Sequence, residues 1–337
     1  MMRAVQVLGD PDSPQVVLAS VPKPDVKRAE ILIRVHAAGV TADELRWPGL
    51  WRSPSRLPGH EISGTVAALG PAYSGPLRLG DPVFAMLHAA HGGLGQADFV
   101  IVGDDEIALK PAQLSHPQAA ALPMPVLIAW EAACEHANLR PGMRVLVTGA
   151  AGAVGSLFVQ IAAKRRGADV VALAAPQDHD RLRRLGAGQV IDYADPGWDA
   201  LVGDPVDVVF DVVGDDVLLR TWETIKSDGL LITVRVPPDS WDWGRGRPEQ
   251  ADAHPNVRWM HFIVTARWDG LAIIAALISH GSFDPIPVIN FPYERAVEAY
   301  EVAAQRNKSG KVVIEFVEEA QPGAEGGESD DSPAGTV

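Results

Sequence analysis

The residues best suited to chemistry in this chain lie in the string Gly149-Ala150-Ala151-Gly152-Ala153-Val154-Gly155. An apolar, β-branched run, Arg144-Val145-Leu146-Val147-Thr148, leads into it, and a helix-compatible stretch over 154–165 leads away. Between a strand and a helix, this pattern reads as a pyrophosphate cradle. Gly152 lets the backbone approach the phosphates and Gly155 lets the helix lie close to the sheet. The amides of Ala153 and Val154 open the helix with unsatisfied donors and positive potential. The chemistry implied is that of a bound dinucleotide.

The choice of dinucleotide is read at the tip of the next strand, where an acid binds a ribose 2′-hydroxyl and repels a 2′-phosphate. Here the stretch is Leu173-Ala174-Ala175-Pro176-Gln177, with no acid at Ala174 or just after it. Asp178 falls where a helix begins and is expected to cap it. Arg181 and Tyr193 offer a cation and a hydroxyl for a 2′-phosphate. Two readings of Arg181 stand, a phosphate ligand or a solvated helix residue, and the balance favours NADPH over NADH.

The elements that must position this loop change character along the chain. Up to about residue 122, short strands (4–8, 30–35, 61–66) alternate with glycine- and proline-rich turns, which predicts a β-rich half. After Pro125, apolar strands without polar alternation (144–148, 169–173, 207–211, 229–234) are separated by helix-length segments such as 178–185, which predicts a parallel sheet covered on both faces and an α/β fold. Residues 239–255 read as an irregular excursion, too polar for a core strand. The pattern returns with 257–264, a helix over 271–279, another over 293–304 and a last strand over 311–316. Residues 318–337, acidic and nearly free of large apolar side chains, are expected to be a disordered tail.

Composition narrows the function classes. The 337 residues carry a net charge of −14 with 47% hydrophobic content, which disfavours nucleic acid and anionic membrane as partners and leaves a small-molecule substrate. No apolar run reaches the length of a membrane helix, and the N-terminal residues show no signal pattern, so a cytoplasmic location is expected. Cys134 is the only cysteine, which rules out an internal disulfide and a thiolate-rich zinc site. In its alanine-rich helical setting it reads as a buried, inert side chain.

The succession Ala38-Gly39-Val40-Thr41-Ala42-Asp43, Pro58-Gly59-His60-Glu61-Ile62-Ser63-Gly64-Thr65-Val66, Gly80-Asp81-Pro82-Val83-Phe84, the glycine loop, and Gly310-Lys311-Val312-Val313-Ile314 resembles the medium-chain dehydrogenase/reductase superfamily. It is most similar to its zinc-independent quinone oxidoreductase and enoyl reductase branch. The resemblance covers residues 3–316. It implies a GroES-like β-rich domain over 1–123, completed by 285–317, and a Rossmann NADPH-binding domain over 124–284, with the active site in the cleft between them and a homodimer as the assembly.

What the resemblance implies for the site follows residue by residue. Zinc members carry a cysteine where Thr41 stands here, so His60 and its neighbour Glu61 lack the partners of a three-ligand site and no metal is expected. His88 and His91, in a Gly-rich stretch, are not expected to supply one. Thr41 takes the place of an asparagine beside the nicotinamide; its hydroxyl either binds a substrate carbonyl or is satisfied by backbone. Trp51 stands in the region where enoyl reductases place a tyrosine; an indole only donates hydrogen bonds, so it reads as an aromatic wall. His60 is the nearby group whose pKa suits proton transfer, or else a packed remnant of a metal site. Val213 and Gly214 are expected at the cofactor ribose. Phe262, Ile263 and Val264 are expected at the nicotinamide carboxamide, and Lys311 at the cofactor or in solvent. A second reading is a non-redox descendant of the fold that binds a ligand or partner.

Overall fold

The computed structural model describes residues 1–88, 94–237, 239, 241, 246–306 and 308–317. The expected acidic tail and His91 lie outside these residues.

In the N-terminal half, β1 (Met2–Asp10) pairs antiparallel with β2 (Ser13–Val21). Next come β3 (Ile31–Gly39), β4 (Glu61–Leu69), β5 (Pro82–Met86), β6 (Phe99–Val102) and β7 (Ile107–Leu109). The second half supplies β8 (Arg144–Val147), β9 (Asp169–Ala174), β10 (Gln189–Asp192), β11 (Val206–Asp211), β12 (Ile225–Thr233) and β13 (Arg258–His261), and the chain ends with β14 (Val288–Pro292) and β15 (Lys311–Glu315). The first large sheet runs β14-β15-β3-β4-β5-β7, with β6 on β3, so the last two strands complete the sheet begun at the N-terminus. β15 lies antiparallel to β3 with Val313 opposite Gly39, which brings the start of β15 to the point where the chain leaves β3 for Thr41.

The other sheet has six parallel strands in the order β10-β9-β8-β11-β12-β13. Its core strands are apolar throughout because both faces are covered, and successive side chains leave on opposite faces. Val145, Val147, Val208 and Phe210 pack with Leu157 and Phe158 of the helix Ala153–Gln160, whose Phe158 ring stacks on Phe210 at 4.1 Å. Leu146, Val171, Val209 and Leu231 pack with Leu218, Trp198 and Trp222 on the other side. The strand order reverses between β8 and β11, the place where such sheets open a ligand crevice.

Three expectations are amended. Strands β2, β10 and β14 are additional to the expected ones: β10 and β14 are short, and β2 has no fully buried position. The excursion after residue 239 forms no strand among the described residues, yet it buries Trp241 completely against Trp222, ring to ring at 6.3 Å. Asp178 occupies the N-cap of the helix His179–Leu185 without capping it, because the preceding 3-10 turn leaves Asp178 in helical backbone geometry. Its carboxylate lies 3.8 Å from Arg181 instead. Among the described residues, no helix is long and apolar enough to cross a membrane.

Candidate active site

The glycine loop sits at the carboxyl end of β8 as its sequence implies. Gly152 is the N-cap of the helix Ala153–Gln160, and no side chain caps it, so the first-turn amides face outward without an internal acceptor. Gly155 is required by contact: a Cβ there would lie 2.4 Å from the Gly149 carbonyl oxygen. Ala150 N–H donates to Leu173 O at 3.1 Å, tying the loop to β9. Arg181 reaches over the loop and donates to Ala151 O at 3.0 Å. Ala174 is buried below the strand tip, where His179 Nε2 lies 3.2 Å from its carbonyl oxygen, and Tyr193 stands 43% exposed just past β10.

Behind the loop lies a group that pattern reading missed. Asp211, fully buried at the end of β11, accepts from Thr148 Oγ1 at 2.6 Å and from Thr233 Oγ1 at 2.7 Å. It also accepts from the amides of Val213 at 3.2 Å and Gly214 at 3.1 Å. One carboxylate thus ties together the ends of β8, β11 and β12 and shapes the Val213-Gly214 turn. Its partners are distant in sequence, so no local spacing announces them.

The turn Ala42–Arg46 follows Thr41. Arg235, just beyond β12, crosses to it and places a guanidinium nitrogen 3.5 Å from Asp43 Oδ2. That pair joins the carboxyl edge of the parallel sheet to the antiparallel one. Glu44 is buried; it accepts from Gly59 N–H at 2.5 Å and lies 2.9 Å from His60 Nδ1. His60 is only 3% exposed, with the Trp47 ring 5.2 Å away. Burial alone lowers the pKa of His60, but the charges of Glu44 and Glu61 outweigh it and hold it above the ordinary histidine value. Trp51 braces its own turn, donating from Nε1 to Leu45 O at 2.9 Å beneath the Arg56 guanidinium. It is Trp47 that meets His60.

Lys311, expected at the cofactor, directs its ammonium to Thr41 Oγ1 at 3.1 Å and forms an ion pair with buried Glu61. Burial raises the pKa of Glu61 despite the opposing Lys311 charge. Past β13, Phe262 lies against the His136 ring at 4.5 Å, Val264 packs on the core and Ile263 is 70% exposed. Cys134 is half-buried, and burial pushes its thiol pKa up. His88 Nε2 lies 3.0 Å from Asp105 Oδ2. Among the described residues, no three His, Cys, Asp or Glu side chains are grouped to hold a metal ion.

Comparison with known proteins agrees with this geometry. The profile of the alcohol dehydrogenase GroES-like domain matches residues 27–112, and that of the zinc-binding dehydrogenase family matches 185–314. The chain is 30% identical to the 2-methylene-furan-3-one reductase of Solanum lycopersicum, over 88% of this chain and 74% of that protein. It is also 30% identical to the chloroplastic NADPH-dependent alkenal/one oxidoreductase of Arabidopsis thaliana, over 86% of this chain and 73% of that one. The structure of the quinone oxidoreductase from Coxiella burnetii superposes with a TM-score of 0.81 at 27% identity, covering 94% of this chain and 99% of that one. A GroES-like domain joined to a Rossmann-like sheet, and relatives named as reductases and oxidoreductases, lead to one assignment. The chain belongs to the zinc-independent branch of the medium-chain dehydrogenase/reductase superfamily and is a reductase.

Proposed function

We propose that the protein uses NADPH to reduce a quinone or an activated carbon–carbon double bond, in an enone or an enoyl thioester. The observation that carries this reading is the uncapped helix start at Gly152, on the parallel sheet whose Arg235 crosses to Asp43, two residues past Thr41. The residues present fit the dinucleotide. The amides of Ala153 and Val154 would hold the pyrophosphate, Gly155 gives the close helix–loop contact, and the Val213-Gly214 turn set by Asp211 would carry the ribose. An acid-free strand tip at Ala174, with Arg181 and Tyr193 on either side, favours a 2′-phosphate. The backbone at Phe262, Ile263 and Val264 is assigned to the nicotinamide side.

Bound there, the reduced nicotinamide supplies a hydride to the β-carbon of the substrate. The alkene electron pair moves onto the carbonyl oxygen, and the α-carbon then takes a proton, so one hydride and one proton are consumed per double bond reduced. Thr41 is assigned to the carbonyl oxygen, where a donor already in place stabilises the growing negative charge. His60 is walled in by Glu44 and Trp47, so we assign it to holding the turn that carries Thr41 and assign the proton to water. Trp47 and Trp51 give the substrate side an aromatic lining.

We further assign residues 1–123 with 285–317 to the substrate domain and 124–284 to the cofactor domain. We place the enzyme in the cytosol, in keeping with its single unpaired cysteine. A homodimer is favoured by β13, the outermost strand of the parallel sheet, flanked by exposed Ile263 and Trp268.

The test is direct. NADPH should quench the tryptophan fluorescence, and it should be oxidised when methyl vinyl ketone, menadione or crotonyl-CoA is added. No quenching by either NADPH or NADH in the folded protein would remove the reading. Quenching without turnover on any of these substrates would favour a ligand-binding protein instead.

A further inference from the structure

We infer that Lys311 and Glu61 are positioning residues that fix the hydroxyl proton of Thr41 toward the substrate's carbonyl oxygen. The inference rests on the reductase reading above and deepens it.

It begins with sheet register. β3 and β15 are antiparallel with Val313 opposite Gly39, so Thr41, two residues past Gly39, comes level with Lys311, two residues before Val313. On the other side of β3, Ala38 stands opposite Ile62, which sets Gly39 beside Glu61. The Glu61 carboxylate fits there because position 39 has no side chain: a Cβ on Gly39 would lie 2.6 Å from Glu61 Oε1. The pairing of three strands therefore stacks a carboxylate, an ammonium and a hydroxyl in order. Glu61 is buried and receives Met124 N–H at 3.3 Å on its other oxygen, and the Lys311 side chain is 11% exposed.

The hydrogen-bond inventory sets the direction. An ammonium only donates, so the contact of Lys311 Nζ with Thr41 Oγ1 at 3.1 Å occupies a lone pair of the hydroxyl oxygen. The hydroxyl's own proton must then point elsewhere, and it has no acceptor among the described residues. It is left as a donor polarised by a cation behind it. Glu61 holds that cation in place, and the burial of both groups keeps the arrangement rigid. As hydride reaches the β-carbon, charge accumulates on the carbonyl oxygen. A donor already aimed there lowers the barrier without reorganising. Lys311 acts through Thr41 and does not itself touch the substrate.

The test is a coupled set of variants assayed with methyl vinyl ketone and NADPH. T41V and K311M should each lower kcat by about 10- to 100-fold, with the NADPH Kd from tryptophan quenching within about twofold of wild type. T41S should retain activity, and K311R, which keeps a donor, should recover much of it. T41V/K311M should be no slower than T41V alone, because both remove the same interaction. K311M leaves Glu61 buried without its cation, so E61Q/K311M, which discards both charges, is the variant to use if K311M does not fold. A folded E61Q/K311M or K311M with wild-type kcat, multiplying losses in T41V/K311M, or a K311M defect confined to NADPH Kd would each overturn the inference while leaving the reductase reading intact. A wild-type protein that oxidises no NADPH with any of the substrates above would remove both.

Discussion

Arg181 carries the choice of nicotinamide cofactor. Its guanidinium already leans over the glycine loop to Ala151 O, within reach of the strand tip where a ribose 2′-group would lie. Asp178 competes for it at 3.8 Å, a contact the sequence hides because Asp178 reads as a helix cap. Arg181→Glu is expected to weaken NADPH binding by about 10- to 100-fold, the range of one charge-assisted contact, and to leave NADH nearly unchanged. Asp178→Asn should move the ratio the other way by releasing the cation. Fluorescence titration with both cofactors checks the pair: equal losses for NADPH and NADH in Arg181→Glu would show that Arg181 steadies the glycine loop and does not read the 2′-phosphate, and no loss with either would assign it to solvent.

At the scale of elements, the parallel sheet was legible because its strands are buried on both faces. Arg144 to Thr148 and Asp207 to Asp211 are apolar at every inner position, and the glycine loop marks its own strand–helix junction. What could not be read is whatever depends on contact between distant segments. β14 and β10 are short and half-exposed, so nothing local separates them from loops. The same holds within the site: Thr41, His60 and the loop glycines lie in recognisable strings, whereas Glu44 against His60 and Lys311 against Thr41 follow from strand pairing. Asp211 is the sharpest case. Both its oxygens accept hydrogen bonds, from Thr148, Thr233 and two amides, so an amide NH₂ in either position would face a donor. Asp211→Asn should therefore cost about 2 to 4 kcal/mol of stability and loosen the Val213-Gly214 turn. Denaturant melts with NADPH titration should show both effects together. Unchanged stability would mean that the carboxylate does not hold the strand ends.

For the whole molecule, two buried histidines respond to pH with opposite sign. His116 opens the helix His116–Ala120 against the N-terminal sheet. Ser63 gives its proton to Val83 O at 2.8 Å, so His116 Nδ1, 2.8 Å away, must donate to Ser63 Oγ. Burial, helped by His36, whose ring lies 4.1 Å away, and by Lys110, lowers the His116 pKa to about 3. The unfolded chain takes up this proton near pH 6.5, so the stability contributed is complete above about pH 6.5 and is lost as pH falls toward 3, by up to about 1.4 kcal/mol per pH unit. His60 is raised by Glu44 in spite of its burial. Its contribution is complete below about pH 6.5 and fades as pH rises through its folded value. Stability from the two should therefore be greatest near the ordinary histidine pKa and decline on both sides. Melting curves across pH for wild type, His116→Asn and His60→Gln separate the limbs: His116→Asn should flatten the acid limb selectively and His60→Gln the alkaline one. General acid unfolding of surface carboxylates is common to all three proteins, so the diagnostic is the difference in slope. An acid limb equally steep in His116→Asn would show that the sheet and its covering helix do not keep this imidazole neutral.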